Sequence, residues 1–272
     1  MNKMIEKQNR GSMKPSELVD WMLSQGINTI TSEECAYLFG VPKKEVSQRL
    51  TTLRRKNALV SVAKGLWVAV SPELRAMGAP EPLYYIDTLL KHYDCNYCVG
   101  WLSAAALQGA SHQAPQVFQV AADKMLRDRV IGRSRLKFYD RSYISSLKKK
   151  RITTTAGTVW AASPGATMLM VASDLILAAG IDNAATIITE LAEEHPDYMK
   201  DVRESAGLFP VTAVCRLGWM LEHIANEHDL EELERVCRSK EAPAFLSPYG
   251  SKKGSLNKRW NIIENRKIEA DV

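Results

Sequence analysis

The run VPKKEVSQRLTTLRRKNALVSVAKGLWVAV, residues 41–70, changes its hydrophobic period midway, and that change narrows the folds open to the chain. As far as Lys56, the residues Val46, Leu50 and Leu53 recur at i, i+4 and i+7, the spacing of a single buried helix stripe, with Pro42 at a first helical position. The spacing predicts a helix over 42–56 whose opposite face presents Lys44, Ser47, Gln48, Thr51 and Arg55. Beyond Asn57, Val, Leu and Trp residues flank Ala63-Lys64-Gly65, which reads as a β-hairpin with a glycine in its turn.

Two shorter helices precede this run. Leu18, Val19, Met22 and Leu23 sit at helical spacing between Pro15-Ser16 and Gly26. After a short bridge, Thr31 and Ser32 followed by Glu34 have the form of an N-cap with its reciprocal acid, and the helix they open stops at Gly40. Three helices and a hairpin in this order form the winged helix-turn-helix pattern, in which the third helix enters the major groove of DNA. Lys43, Lys44, Ser47 and Gln48 then meet base edges and Thr51 faces the same way. Arg49, Arg54, Arg55 and Lys64 at the wing tip neutralise phosphates. A basic helix alone is more often a solvated face, so it is the order of elements that carries the nucleic-acid reading. Winged helices also dock proteins, which is the rival use of the same segment.

With 272 residues, 46% of them hydrophobic and 25% charged, the chain fills one large core or two modest ones. Its net charge of +5 is uneven: residues 1–72 carry +5, residues 73–151 carry +6 and residues 152–272 carry −6. The front half therefore meets a polyanion more readily than the back. The polar N-terminus lacks the apolar run of a secretory signal. The longest apolar run, ATMLMVASDLILAAGI, contains Asp174 and falls short of the roughly 20 residues of a membrane span. These features predict a cytoplasmic protein with no membrane partner. Cys35, Cys95, Cys98, Cys215 and Cys237 are an odd number spread thinly, as reduced thiols are, rather than a disulfide framework.

Residues 71–82, SPELRAMGAPEP, concentrate Pro and Gly and read as a linker, which divides the chain into a DNA-binding domain over 1–78 and a second domain over 79–272. LYYIDTLLKHY is helical, NYCVGWLSAAALQGASHQAP starts as a strand and continues as an Ala-rich helix, and QVFQVAAD and RLKFYDRS alternate as strands do. RITTTAGTVWAASP reads as two strands around Ala156-Gly157, and from Gly165 onward the pattern is helical. The fold class expected is α+β: a winged helix-turn-helix followed by a larger mixed domain, strand-containing over 79–164 and mostly helical over 165–272.

Five segments give this reading a family. GLWVAVSPELRAMGAPEP, YCVGWLSAAALQGASHQAPQVFQVAAD, RLKFYDRS, AGIDNAATIITELAE and RLGWMLE resemble the AbiEi abortive-infection antitoxins, type IV toxin–antitoxin proteins with an N-terminal winged helix, over about residues 16–240. The resemblance implies that the N-terminal domain binds double-stranded DNA at the protein's own promoter and represses its operon. It also implies that the C-terminal domain counters a nucleotidyltransferase-like toxin without needing a stable complex with it. One departure stands out. Where the family has an acid and then an Asp after VWAASP, this chain has Gly165, Ala166 and Met170. If those acids serve antitoxicity, this member lacks part of it or achieves it differently; if they cap and orient a helix, nothing functional follows.

Other constellations are weaker. His92, Cys95, Cys98 and His112 are soft ligands, but a single C-x-x-C without a second pair is poor support for zinc, and Cys95 and Cys98 read as small apolar fillers. Residues 124–151 carry Arg127, Arg129, Arg133, Arg135, Lys148, Lys149, Lys150 and Arg151 among other cations, with Phe138, Tyr139 and Tyr143 interleaved. That is either charge protecting strand edges or a second nucleic-acid surface, for DNA or RNA. The segment SPYGSKKGSLNKRWNIIEN reads as packing Trp260, Ile262 and Ile263 back on the domain with its lysines solvated. No Walker loop, no G-x-G-x-x-G between strand and helix and no H-E-x-x-H is present, and the expectation is a protein without catalysis, cofactor or metal. The competing readings are a ligand-responsive repressor and an RNA-binding protein centred on 124–151.

Overall fold

The structure, a computed structural model, describes residues 3–110, 115–154, 157–239 and 241–271. The first core is built from α1 (Lys3–Glu6), α2 (Leu18–Ser24), β1 (Thr29–Thr31), α3 (Ser32–Phe39), α4 (Lys43–Arg49), α5 (Thr51–Arg55), β2 (Leu59–Ala63) and β3 (Leu66–Ala69). Leu18, Val19 and Met22 bury one face of α2, as their spacing predicts. Thr31 caps α3: its hydroxyl accepts from the Glu34 backbone N–H at 3.2 Å, and the Glu34 carboxylate accepts from the Thr31 N–H at 2.8 Å. The bridge before it holds a strand that the sequence reading did not contain, β1, too short for alternation to show. The three strands pair antiparallel in the order β1-β3-β2.

The helix expected over 42–56 bends at Leu50, where ψ opens to −3°. The backbone ladder continues through the bend, from Leu50 N–H to Val46 C=O and from Arg54 N–H to Leu50 C=O, each 3.0 Å. Thr51 accounts for the bend: its hydroxyl donates to the Ser47 carbonyl at 3.4 Å, the acceptor that its own N–H would take in a straight helix.

The second core follows residues 72–84, which are coiled into short 3-10 turns rather than extended. Its elements are α6 (Ile86–His92), β4 (Tyr97–Val99), α7 (Trp101–Leu107), β5 (Val117–Ala122), β6 (Arg129–Ile131), β7 (Ser134–Asp140), β8 (Lys149–Thr154), β9 (Gly157–Ala162), α8 (Pro164–Ser173), α9 (Ile181–Glu194), α10 (Tyr198–Ser205), α11 (Val211–His223) and α12 (Glu231–Arg238). Six strands form one mixed sheet in the order β6-β7-β5-β4-β9-β8. Helix α8 is buried from Pro164 through Ala172, which makes it the central rod of the helical layer. The helical expectation for 165–272 needs one correction. β10 (Ala244–Phe245), β11 (Ser255–Asn257) and β12 (Ile262–Glu264) form a small sheet, because the tail folds back to bury Trp260 and Ile262 against α11.

The two cores share the β2–β3 hairpin. Leu59, Trp67 and Ala69 pack on α3 to α5, while Val62, Leu66 and Val68 belong to the second core. Period-two alternation thus puts one face of a small sheet into each half of the chain. Arg129 donates to the Val62 carbonyl at 2.8 Å and to the Tyr93 hydroxyl at 2.6 Å, and His92 Nε2 lies 3.1 Å from the Lys64 carbonyl.

Candidate nucleic-acid interface

Helices α4 and α5 bury Val46, Leu50 and Leu53, and that burial turns Lys43, Lys44, Ser47, Gln48, Arg49, Thr51, Arg54 and Arg55 outward; all eight are exposed, as is Lys64 in the hairpin turn. Lys44, Gln48, Thr51 and Arg55 follow one another at helical spacing as a polar stripe opposite the buried one. The hairpin stands beside α3 because the Trp67 indole donates to Ser32 Oγ at 3.0 Å and the Ser32 N–H donates to the Gly65 carbonyl at 2.8 Å. Gly65 takes φ +80°, which a side chain would resist, so the turn can be two residues long.

The cations of this face differ in how they are held. Lys43 pairs with Glu33, and this contact holds the Glu33 carboxyl below the usual carboxylate range. Arg49 lies 3.6 Å from Glu45. Arg54 stacks with its guanidinium 5.5 Å from the centre of the Trp67 ring, a partner that the sequence reading missed because it comes from the hairpin. In pattern and exposure the face suits a polyanion: amide and hydroxyl groups in the middle, flexible cations around them.

The basic segment 124–151 divides. Arg127, Arg129, Arg133 and Arg135 lie in or beside β6 and β7 at one edge of the large sheet, and Lys148, Lys149, Lys150 and Arg151 lie at or in β8 at the opposite edge. They are therefore not one patch. Arg129 is withdrawn from any surface role by its bonds to Val62 and Tyr93 and by its position 5.3 Å over the Tyr93 ring. The interleaved aromatics are committed too: Phe138 is buried, Tyr139 meets Trp101 edge-on at 4.9 Å and Tyr143 packs on Phe209. A six-stranded sheet places sequence neighbours far apart, and local composition could not show it.

Cys95 donates to Asp123 Oδ1 at 3.2 Å, and Cys98 is fully buried in β4. Burial pushes the two thiols up, to about 11 and about 12, so they stay protonated fillers. His112 lies outside the described residues. Among the described residues no group of three or more His, Cys, Asp or Glu could hold a metal ion, and no helix is long and apolar enough to cross a membrane. A cavity of about 360 Å³ lies between residues 77–83, α7 and the β5–β7 pair, with Leu107, Phe118, Arg133 and Arg135 in its wall.

Two residues hold the helical layer in ways the sequence reading did not foresee. Arg216 is buried on α11, where its guanidinium donates to the carbonyls of Leu246 and Phe245 and, at the end of α8, to that of Ala172. A carbonyl-rich helix C-terminus is a favourable place for a cation. Gly218 lets the Trp260 ring lie against α11, where a Cβ would come within 2.1 Å of it.

The fold is that of a mixed α+β protein in which a basic helix-and-hairpin unit precedes a six-stranded sheet backed by helices. Residues 98–223, from β4 to the end of α11, match the family model of the AbiEi antitoxin C-terminal domain, which supports an AbiEi-family antitoxin. The fold is also similar to the crystal structure of the RV2827C protein from Mycobacterium tuberculosis, with a TM-score of 0.63 at 16% identity, over 91% of this chain and 90% of that one. At that identity the likeness is one of fold. No curated protein matches the chain.

Proposed function

We propose that this chain is a type IV antitoxin that counters a nucleotidyltransferase-like toxin in the cytoplasm and represses its own operon, with residues 1–78 acting as a winged helix-turn-helix on promoter DNA. The observation that carries the DNA-binding part is the exposed stripe Lys44, Gln48, Thr51 and Arg55 on a bent helix followed at once by a short hairpin, ahead of an antitoxin domain. In this reading α4 enters the major groove, Lys44, Ser47 and Gln48 read base edges, and Lys43, Arg49, Arg55 and Lys64 meet phosphates. Arg54 has a double role, since its guanidinium already rests on Trp67 and braces the hairpin.

The test is fluorescence anisotropy of labelled duplex DNA from upstream of the gene, against scrambled duplex, at two salt concentrations. The full chain is expected to prefer its own DNA by about 10³-fold or more. Arg55→Ala weakens binding to both duplexes and flattens the salt dependence, whereas Gln48→Ala erodes the preference. Equal, weak binding to both duplexes overturns the repressor reading. Growth rescue from a co-expressed toxin tests the antitoxin part separately.

A further inference from the structure

Trp160 lies on the outer face of the large sheet near its β8 edge. Its neighbours Val159 and Ala161 are buried, so strand alternation turns the indole outward, where 37% of it stays exposed. Arg151 on β8 is its cross-strand partner, with Cζ 5.5 Å from the ring centroid, and Lys149 Nζ lies 6.0 Å from the same centroid. Beside the indole is a cleft of about 310 Å³ walled by Ser146, Leu147, Lys148, Lys149, Trp160 and Glu204. Lys148 pairs with Glu204 at 2.6 Å, and Lys150 lies 3.7 Å from Asp201. Lys149 and Arg151 thus border the open aromatic surface, while Lys150, one residue out of step on the strand, is turned toward Asp201.

We propose that this cleft binds single-stranded RNA, with a base stacked on Trp160 and the flanking phosphates taken by Lys149 and Arg151. A single strand is the fitting form of nucleic acid, because only unpaired bases offer a free face to an aromatic ring. The volume is at the lower end of the roughly 300–1,000 Å³ of ligand-sized clefts, room for one nucleotide. Glu204 favours RNA over DNA: a carboxylate in the wall repels phosphate but accepts an O–H, which the ribose 2′-hydroxyl supplies and a deoxyribose strand lacks. The surface shares no residue with α4, α5 or the hairpin turn, so it is independent of the operator reading.

The experiment is fluorescence anisotropy of the full chain with a labelled oligouridylate of about 12 nucleotides, beside an oligodeoxythymidylate of the same length. The RNA is expected to bind more tightly. Trp160→Ala should weaken RNA binding by roughly 5-fold to 150-fold, the span of base–aromatic stacking, while Trp160→Phe retains most of it. The pair Lys149→Gln and Arg151→Gln, which lies outside the core, should lower affinity and flatten the salt dependence, and it carries the test if Trp160→Ala fails to fold by circular dichroism. Arg55→Ala should leave RNA binding unchanged, which separates this site from the promoter-binding face. Unaltered RNA affinity in folded Trp160→Ala or in the double variant overturns the proposal, and equal affinity for the deoxy strand overturns the assignment to RNA.

Discussion

Gly165 stands where a Cβ would come within 2.4 Å of the Tyr198 carbonyl and 2.6 Å of the Val202 nitrogen, both backbone atoms of α10. Ala166 and Met170 are fully buried on the same helix, and Met170 fills the space that a side chain at Gly100 would need. The three departures from the family pattern are thus packing residues here: α8 and α10 touch backbone to backbone at Gly165, which leaves no room for an acid. An Ala in a helix ordinarily gains about 1 kcal/mol over Gly. At this position the clash reverses the sign, and Gly165→Ala is expected to lower stability by roughly 1–3 kcal/mol, read from the urea midpoint. A gain in stability would mean that α10 moves aside freely. Cys95 and Cys98 make the same point about residue types: their spacing alone was poor support for a ligand pair, and in the fold one thiol donates to Asp123 while the other fills the core.

At the scale of elements, periodicity was a good guide wherever one face of an element is buried. The stripe Val46, Leu50, Leu53 and the cap Thr31 with Glu34 lie where their spacing put them, because both are local physics. The bend at Leu50 depends on one hydroxyl, β1 depends on pairing with β3, and the split of the basic segment depends on strand order. None of these leaves a periodic trace. The tail shows the same limit: the sequence reading put Trp260 against the domain, and the structure adds the strands that hold it there. Glu264 on β12 accepts from the Trp219 indole at 2.8 Å, from Asn257 Nδ2 at 3.0 Å and from Ser255 Oγ at 3.0 Å, and these donors hold its carboxyl below the usual glutamate range. A carboxyl depressed in the fold stabilises above the ordinary value of about 4.3 and loses that contribution as pH falls through the folded value. Between about pH 6 and about pH 3 the wild-type chain should therefore lose more stability in urea than Glu264→Gln, and equal losses would assign the acid sensitivity to other carboxyls.

For the whole molecule, the shared hairpin decides how the two halves can be separated. A domain boundary after residue 78 is what the linker composition suggests, yet Val62, Leu66 and Val68 on the near side of that boundary are buried in the second core. Each such side chain contributes about 1.5–3 kcal/mol on burial, so a fragment ending at residue 78 would expose a sheet face that the full chain covers. Function is better assigned by substitutions in the intact chain than by cutting it. Arg129 offers the direct measurement. Its bonds to the Val62 carbonyl and the Tyr93 hydroxyl are made by a charged donor, and losing one of them costs roughly 1.5–3 kcal/mol. Arg129→Ala should lower the thermal midpoint of the full chain while leaving one unfolding transition, because the hairpin belongs to both cores. Its affinity for promoter duplex at a temperature where the variant is folded should stay close to wild type, since the guanidinium points into the junction and not toward solvent. Two separate transitions with the first unchanged would show that the halves fold independently, and a selective loss of duplex binding would return Arg129 to the nucleic-acid surface.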